Sequence, residues 1–314
     1  MDYLKQYVKI LSFYKMNEFQ IHLNDNGFPQ FFGDDWNRTY AAFRLESERF
    51  PGLTAKDGSY SKQEFIDLQR MGLEYGVRII PEIDIPAHSL AFAHYKPEIA
   101  SRKYGMDHLD LYKKETYQFV DSLLDEYLSG DNPVFIGDLH IGTDEYNKKE
   151  AEQYRDFTDR YLKFVEKYGK NVRMWGGLKW LPGKTPVKAE GVTVNAWSYD
   201  WVDPVVSLQD GYKLINTCDT YLYIVPAAGY YRDFLDHQWI YEKWSPWIMN
   251  RKQTLPEGTP GVLGGMFAVW NDKCGNGISE QDVHLRSFPA MQVLAEKLWK
   301  GENKNVTYEA FAKL

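Results

Sequence analysis

Apolar positions recur at helical spacing near the start of the chain. Leu4, Val8, Leu11 and Tyr14 fall on one face of residues 2–14. Residues 18–23 then read as a strand, and a helix is expected near 61–75, opened by Ser61 with Glu64 three residues on, the spacing of a capping box. VRIIPEI (77–83) is the next strand. Helix 113–128 leads to strand 134–141, and helix 148–168 to strand 171–175. Strand 192–196, a helix near 204–210 and strand 213–217 follow. A Trp/Tyr-rich helical stretch, strand 262–269 and a closing helix over 280–299 complete the pattern. Such alternation predicts a parallel sheet with helices outside it, a (β/α)8 barrel of TIM type. A closed barrel needs eight strands, and this count gives seven with a helix in front. The expectation is therefore an N-terminally truncated barrel whose first strand precedes residue 1; a different, seven-stranded arrangement is the alternative. An unpaired edge would invite self-association, so a homo-oligomer is a possible state.

Length and composition narrow the reading. The 314 residues carry no repeat, low-complexity tract or linker-like stretch, which fits one domain spanning 1–314. A net charge of -7 argues against nucleic acid as a partner, and no apolar run approaches the roughly 20 residues of a membrane span. The opening MDYLKQYVKI reads as an amphipathic helix rather than a signal peptide. Ten Trp, 23 Tyr and 17 Phe suit stacking against sugar rings, or simply the core of a large barrel. Cys218 and Cys274 make no disulfide framework. Neither CxxC nor HExxH is present, so no metal or other cofactor is expected.

Active sites of such barrels sit at the C-terminal strand ends. The strand ends deliver His22 and Asp25, then Glu82, Asp84 and His88, then His140, Asp144 and Glu145. Trp175, Trp197, Tyr221, Tyr223, Trp270 and Asp272 come from the later ones. Acids for chemistry and aromatics for a ring are the makeup of a glycosidase pocket. Neighbours on a regular strand face opposite ways, so Asp144 and Glu145 can share one pocket only beyond the strand end, where Gly142 lets the chain turn. Two close carboxylates repel, and one is pushed to hold its proton. His22, His88 and His140 are open to three readings: metal ligands, hydrogen-bonding supports for the acids, or satisfied core histidines.

DLHIGTDEY (138–146) resembles the His-Ile/Val-Gly-Gly-Asp-Glu signature of glycoside hydrolase family 20, the β-N-acetylhexosaminidases. KMNEFQIHLNDNG (15–27), IIPEIDIPAHSLA (79–91), TYLY (220–223), AVWND (268–272) and LAEKLW (294–299) resemble further segments of that family, in family order.

The resemblance implies an exo-acting, retaining hydrolase of terminal β-linked GlcNAc or GalNAc, in which the substrate's own acetamide oxygen attacks the anomeric carbon and forms an oxazolinium ion. It makes Glu145 the general acid and base. It has Asp144 orient the acetamide N–H and Tyr221 bond the acetamide oxygen. Trp175, Trp197 and Trp270 become pocket walls, and Asp272 a ligand of the outer hydroxyls. His22, Asp25, Glu82, Asp84, His88 and His140 become supporting residues. The implied partner is a glycan and the implied location extracytoplasmic. Three departures stand out. Thr143 replaces the second glycine of the signature. Tyr223 stands where many members carry an Asp for the outer hydroxyls, and Asp272 where many carry Glu. The arginine that ends the family's first strand has no counterpart. A barrel that kept the pocket and lost turnover is the competing reading.

Overall fold

Seven parallel strands form one curled sheet in the computed structural model, which describes residues 1–273, 277–302 and 305–313. In chain order they are β1 (Glu18–His22), β2 (Arg78–Ile85), β3 (Leu139–Gly142), β4 (Val172–Trp175), β5 (Val192–Ala196), β6 (Lys213–Asn216) and β7 (Val262–Gly265). Each pairs in parallel with the next, so the order in space is the order in sequence. Buried parallel strands have no water-facing side, which is why RIIPEIDI is buried along nearly its whole length. The expected count of seven holds.

The main helices are α1 (Asp2–Phe13), α2 (Lys62–Glu74), α3 (Lys114–Leu128), α4 (Ala151–Glu166), α5 (Pro204–Gln209), α6 (His237–Lys243) and α7 (Glu280–Lys300). Ser61 and Glu64 form the capping box of α2, satisfying two otherwise orphaned amides. In α4, Tyr154, Phe157, Tyr161, Leu162 and Val165 repeat at three and four residues and are buried against the sheet.

Two strands differ from the sequence pattern. Residues 134–138 precede β3 instead of extending it. The Gln69 side chain takes over that segment's polar backbone, donating to the Val134 carbonyl at 2.7 Å and accepting from the Ile136 amide at 3.1 Å. Strand 262–269 divides after Gly265. Ala268–Val269 then pairs with Tyr223–Ile224 in a separate two-stranded ribbon at the C-terminal rim.

Among the described residues β1 and β7 share no ladder. The sheet is closed there by helices instead. Tyr7 of α1 bonds the Ser287 hydroxyl of α7, Gln292 donates to the Tyr14 hydroxyl at 3.0 Å, and Tyr14 meets Phe288 edge-on at 5.8 Å. No described helix is long and apolar enough to cross a membrane. Cys218 is buried and unbridged; Cys274 lies outside the described residues.

Candidate active site

Past the end of β3 the backbone turns sharply: Gly142, Thr143 and Glu145 all have positive φ, at 69°, 74° and 50°. Glycine suits the first position for two reasons. It adopts this conformation freely, and a Cβ there would stand 1.7 Å from Asp84 Oδ1. The turn brings Asp144 and Glu145 to the same side. His88, itself at φ 52°, links them, with Nε2 3.2 Å from Glu145 Oε2 and 3.7 Å from Asp144 Oδ2. Its Nδ1 lies 2.8 Å from Asp25, giving a chain Asp25–His88–Glu145. Sparsely populated backbone at three residues around one carboxylate pair is a mark of a functional site.

Beneath the pair lies a second polar layer. Glu82 is fully buried. It accepts from Trp175 Nε1 at 2.6 Å and Gln20 Nε2 at 2.8 Å, and stands 3.0 Å from His22 and 3.3 Å from His140. His22 also reaches Asp25 at 3.0 Å. Asn24 clamps the Asp84 backbone, giving and receiving one hydrogen bond of 2.8 Å each.

Charges follow from this packing. Burial pushes Asp144 up to about 6, with neighbouring Glu145 adding to the rise and His88 opposing it. Burial also raises Asp84 well above the usual carboxylate range, helped by Asp144. Burial alone would depress His88 and His22. Asp25 and Asp144 outweigh it at His88, and Glu82 and Asp25 at His22, so both are raised well above an ordinary imidazole. Burial would likewise raise Asp25 and Glu82, but the imidazoles win there too. His88 and His22 lower Asp25, and His22 and His140 hold Glu82 far down. The site is thus a lattice of imidazolium–carboxylate pairs, with Asp84 and Asp144 the two acids most inclined to carry a proton.

Aromatic rings border the acids. Trp175 meets Trp270 at 5.6 Å, Trp270 meets Tyr223 at 5.7 Å, and Tyr223 lies parallel to Trp197 with ring centres 6.5 Å apart. Such an arrangement sets apolar ring surfaces beside two close carboxylates. The match to the model of the glycosyl hydrolase family 20 catalytic domain runs over residues 1–302. The chain belongs to glycosyl hydrolase family 20.

Family 20 relatives are distant and longer. The chain is 26% identical over 360 residues to β-hexosaminidase subunit B2 of Dictyostelium discoideum, covering 99% of this chain and 57% of that protein. It is 26% identical over 333 residues to β-hexosaminidase subunit beta of Entamoeba histolytica, covering 92% and 54%. The chain therefore spans about half the length of the curated relatives it matches. Among solved structures it resembles the β-N-acetylhexosaminidase of Bacteroides fragilis (TM-score 0.75, 22% identity, 99% of this chain and 65% of that one). It also resembles a Streptomyces plicatus β-hexosaminidase variant in complex with its product GlcNAc (TM-score 0.72, 22% identity, 95% and 60%). Both share the barrel fold.

Against this family 20 frame, the structure brings together every sequence-predicted site residue except Tyr221. Tyr221, which the resemblance has bond the acetamide oxygen, is turned onto Trp239 instead. Residues Asp219–Leu222 form one helical turn, which carries Tyr221 onto Trp239, stacked at 4.3 Å, and leaves it to the field of Cys218 and Arg251. The chain resumes an extended course at Tyr223, and that phenol is the buried one facing Asp144 and Glu145. Burial and Asp144 raise it well above an ordinary phenol. Asp272 lies at the rim, accepting from the Tyr230 hydroxyl at 2.8 Å. Burial raises it.

The sequence reading missed Tyr230, and with it Tyr231 and Asp219, joined at 3.1 Å. It also missed His108, whose Nε2 lies 3.3 Å from the Glu145 carbonyl oxygen. These sit on irregular segments where no periodicity singles out a residue; the YYRD run after Gly229 was the one visible hint. Two triads have ligand atoms within 4.8 Å of one another, His22–Glu82–Asp84 and Asp84–His88–Asp144. His88 is committed to carboxylates on both ring nitrogens, and His22 pairs with Asp25 through Nε2, which favours their role as supports of the acids over that of metal ligands.

Proposed function

We propose that the chain hydrolyses terminal β-linked N-acetylhexosamine with retention, using the substrate's acetamide as nucleophile. One observation carries the reading: Asp144 Oδ1 is buried and has no donor, while His88 joins Asp144 to Glu145 and the Tyr223 phenol lies within the field of both acids. An acetamide N–H is the donor this oxygen lacks. Its methyl fits the apolar ring surfaces, and its carbonyl oxygen then faces the Tyr223 hydroxyl.

Chemistry follows in two balanced steps. The acetamide oxygen bonds to the anomeric carbon as the glycosidic C–O bond breaks, and the departing oxygen takes the proton of Glu145. Water then attacks the same carbon, gives its proton to Glu145 and reopens the ring. His88 holds Glu145 Oε2, which leaves Oε1 to carry the catalytic proton. Asp144, anionic, balances the charge that develops on the acetamide. Positioning the acetamide makes a weak nucleophile intramolecular, an advantage of up to several kcal/mol. Trp270 and Asp272 offer the ring face and an acceptor for outer hydroxyls.

A thiazoline mimic of the cyclic intermediate is expected to inhibit well, and a β-glucoside with a plain 2-hydroxyl to be almost inert. Glu145→Gln should cut turnover of natural glycosides far more than that of activated aryl glycosides, which need little protonation. A sugar ester trapped on an Asp or Glu by a 2-fluoro glycoside would overturn the mechanism while leaving a glycosidase. Among the described residues β1 and β7 share no ladder, and the second reading is a sugar-binding barrel with weak turnover. Sugar binding without hydrolysis of a chromogenic β-GlcNAc glycoside would decide for it. Extracytoplasmic placement, a single domain over 1–314 and homo-oligomerisation belong to the same proposal.

A further inference from the structure

The turn that carries Glu145 is braced by a segment outside the seven-stranded sheet. A short strand, Gly105–Leu109, pairs with Ala100–Ser101 in an antiparallel hairpin. Its backbone is laced to the segment of His88: the Ser89 amide donates to the Asp107 carbonyl at 2.9 Å, and the Leu109 amide to the Pro86 carbonyl at 2.8 Å. It is laced to the carboxylate turn as well, since the Tyr146 hydroxyl donates to the Leu109 carbonyl at 2.8 Å. Between the two hairpin strands, Lys103 and the Tyr104 hydroxyl bond Glu150, just before α4, at 2.6 and 2.5 Å.

His108 is the side chain of this strand that reaches Glu145. Its Nε2 lies 3.3 Å from the Glu145 carbonyl oxygen and its Nδ1 2.8 Å from Asp107 Oδ1. Its ring packs on Tyr146 with centres 5.3 Å apart. A carbonyl oxygen can only accept, so the Nε2 hydrogen points to Glu145. Glu145 needs such a hold. At φ 50° it occupies sparsely populated backbone, which a residue other than glycine keeps only where its surroundings over-determine it. His88 fixes one carboxylate oxygen and His108 the backbone carbonyl, so the residue is gripped at both ends. The two histidines are joined in turn through Ser89 and Asp107, which closes a ring of contacts.

We propose that His108 is a positioning residue for Glu145: by fixing the carbonyl of the strained turn, it sets the direction from which Glu145 presents its proton to the departing oxygen. The proposal rests on the reading of Glu145 as general acid. Proton transfer requires the donor within hydrogen-bond reach of the oxygen, and a misplacement of about 1 Å can cost a hundredfold. His108 acts through the turn and not on the sugar, so its loss falls on kcat and spares KM.

Two variants of similar bulk test this. His108→Gln keeps an N–H for the carbonyl; His108→Leu keeps packing on Tyr146 and has no donor. Turnover is read on a β-linked GlcNAc disaccharide, whose leaving group needs a proton, and on a dinitrophenyl β-GlcNAc glycoside, whose leaving group does not. His108→Leu should lower kcat at least tenfold on the disaccharide and less than twofold on the aryl glycoside, with KM within twofold of wild type on both. His108→Gln should recover the disaccharide rate to within threefold. Added to Glu145→Gln, His108→Leu should cost nothing further on the disaccharide, because both losses belong to one proton transfer. Where His108→Leu does not fold, Asp107→Ala, which releases the ring and leaves the backbone bond from Ser89, decides by the same comparison. Equal losses on both substrates, no loss on the disaccharide, or no recovery with glutamine would overturn the proposal. If Glu145→Gln itself treats the two substrates alike, the general acid and the proposal fall together. If Glu145→Gln separates them and His108→Leu does not, the proposal falls alone.

Discussion

Asp144 is held between two opposed influences. Burial drives it toward the neutral acid, and His88 draws it toward the anion. The proposed chemistry needs the anion, so the sign is fixed. As pH falls through about 6, Asp144 takes up its proton and kcat/KM should drop with an acid limb near that value. In Asp144→Asn the activity that remains should lose that limb; a limb unchanged in the variant would assign it to another group. Thr143 is the other residue under tension. A β-branched side chain sits at φ 74°, and its buried hydroxyl has no partner. Thr143→Gly removes both penalties and loses a buried methyl and some unfolded-state entropy. The expected net is a gain of about 1 kcal/mol, read as a shifted urea midpoint at constant slope. The Asp144–Glu145 pair stood out in the sequence through its setting, a glycine turn at a strand end among histidines and tryptophans on one rim, since Asp-Glu alone is a common dipeptide. The strain at Thr143 did not, since φ depends on where Asp84 and Tyr154 hold the turn.

At the scale of elements, one turn of helix decides which phenol faces the acids. Asp219–Leu222 winds once before the Tyr223–Ile224 strand, and that single turn separates the fates of Tyr221 and Tyr223. Tyr223→Phe should lower kcat roughly a hundredfold, the cost of losing the hydrogen bond that positions the acetamide oxygen for attack. Tyr221→Phe, which keeps its stacking on Trp239, should leave kcat near wild type. The reverse result would restore the role first read from the TYLY segment. Helices with strong periodicity and the buried parallel strands could be read directly, because each pattern has one stable burial. The 134–138 segment misled for the converse reason. Its apolar residues suit a strand, but Gln69 on α2 supplies the hydrogen bonds that a ladder would have supplied.

Across the whole molecule, the end of the barrel opposite the site is tied by charge. Arg173 on β4 is nearly buried. It holds Glu18 of β1 at 2.5 and 2.8 Å and Asp138, just before β3, at 3.0 Å, while Arg78 of β2 joins Glu18 from the other side. Four consecutive strands thus meet at one cluster. Arg173→Leu leaves Glu18 and Asp138 only the half-exposed Arg78 as a cationic partner, and a loss of about 1–3 kcal/mol is expected in chemical denaturation. A loss below about 1 kcal/mol would mean that water reaches the cluster freely.

Trp270 belongs to two neighbourhoods at once. One side of its indole meets Trp175 and Tyr223 beside the acids, and the residue also lines the gap between β1 and β7. A ring cannot shift for one neighbour and stay still for the other. The two compartments are therefore thermodynamically linked through Trp270, and the linkage is reciprocal: a change of packing on the gap side that tightens sugar binding by some factor is itself favoured by that factor when sugar is bound.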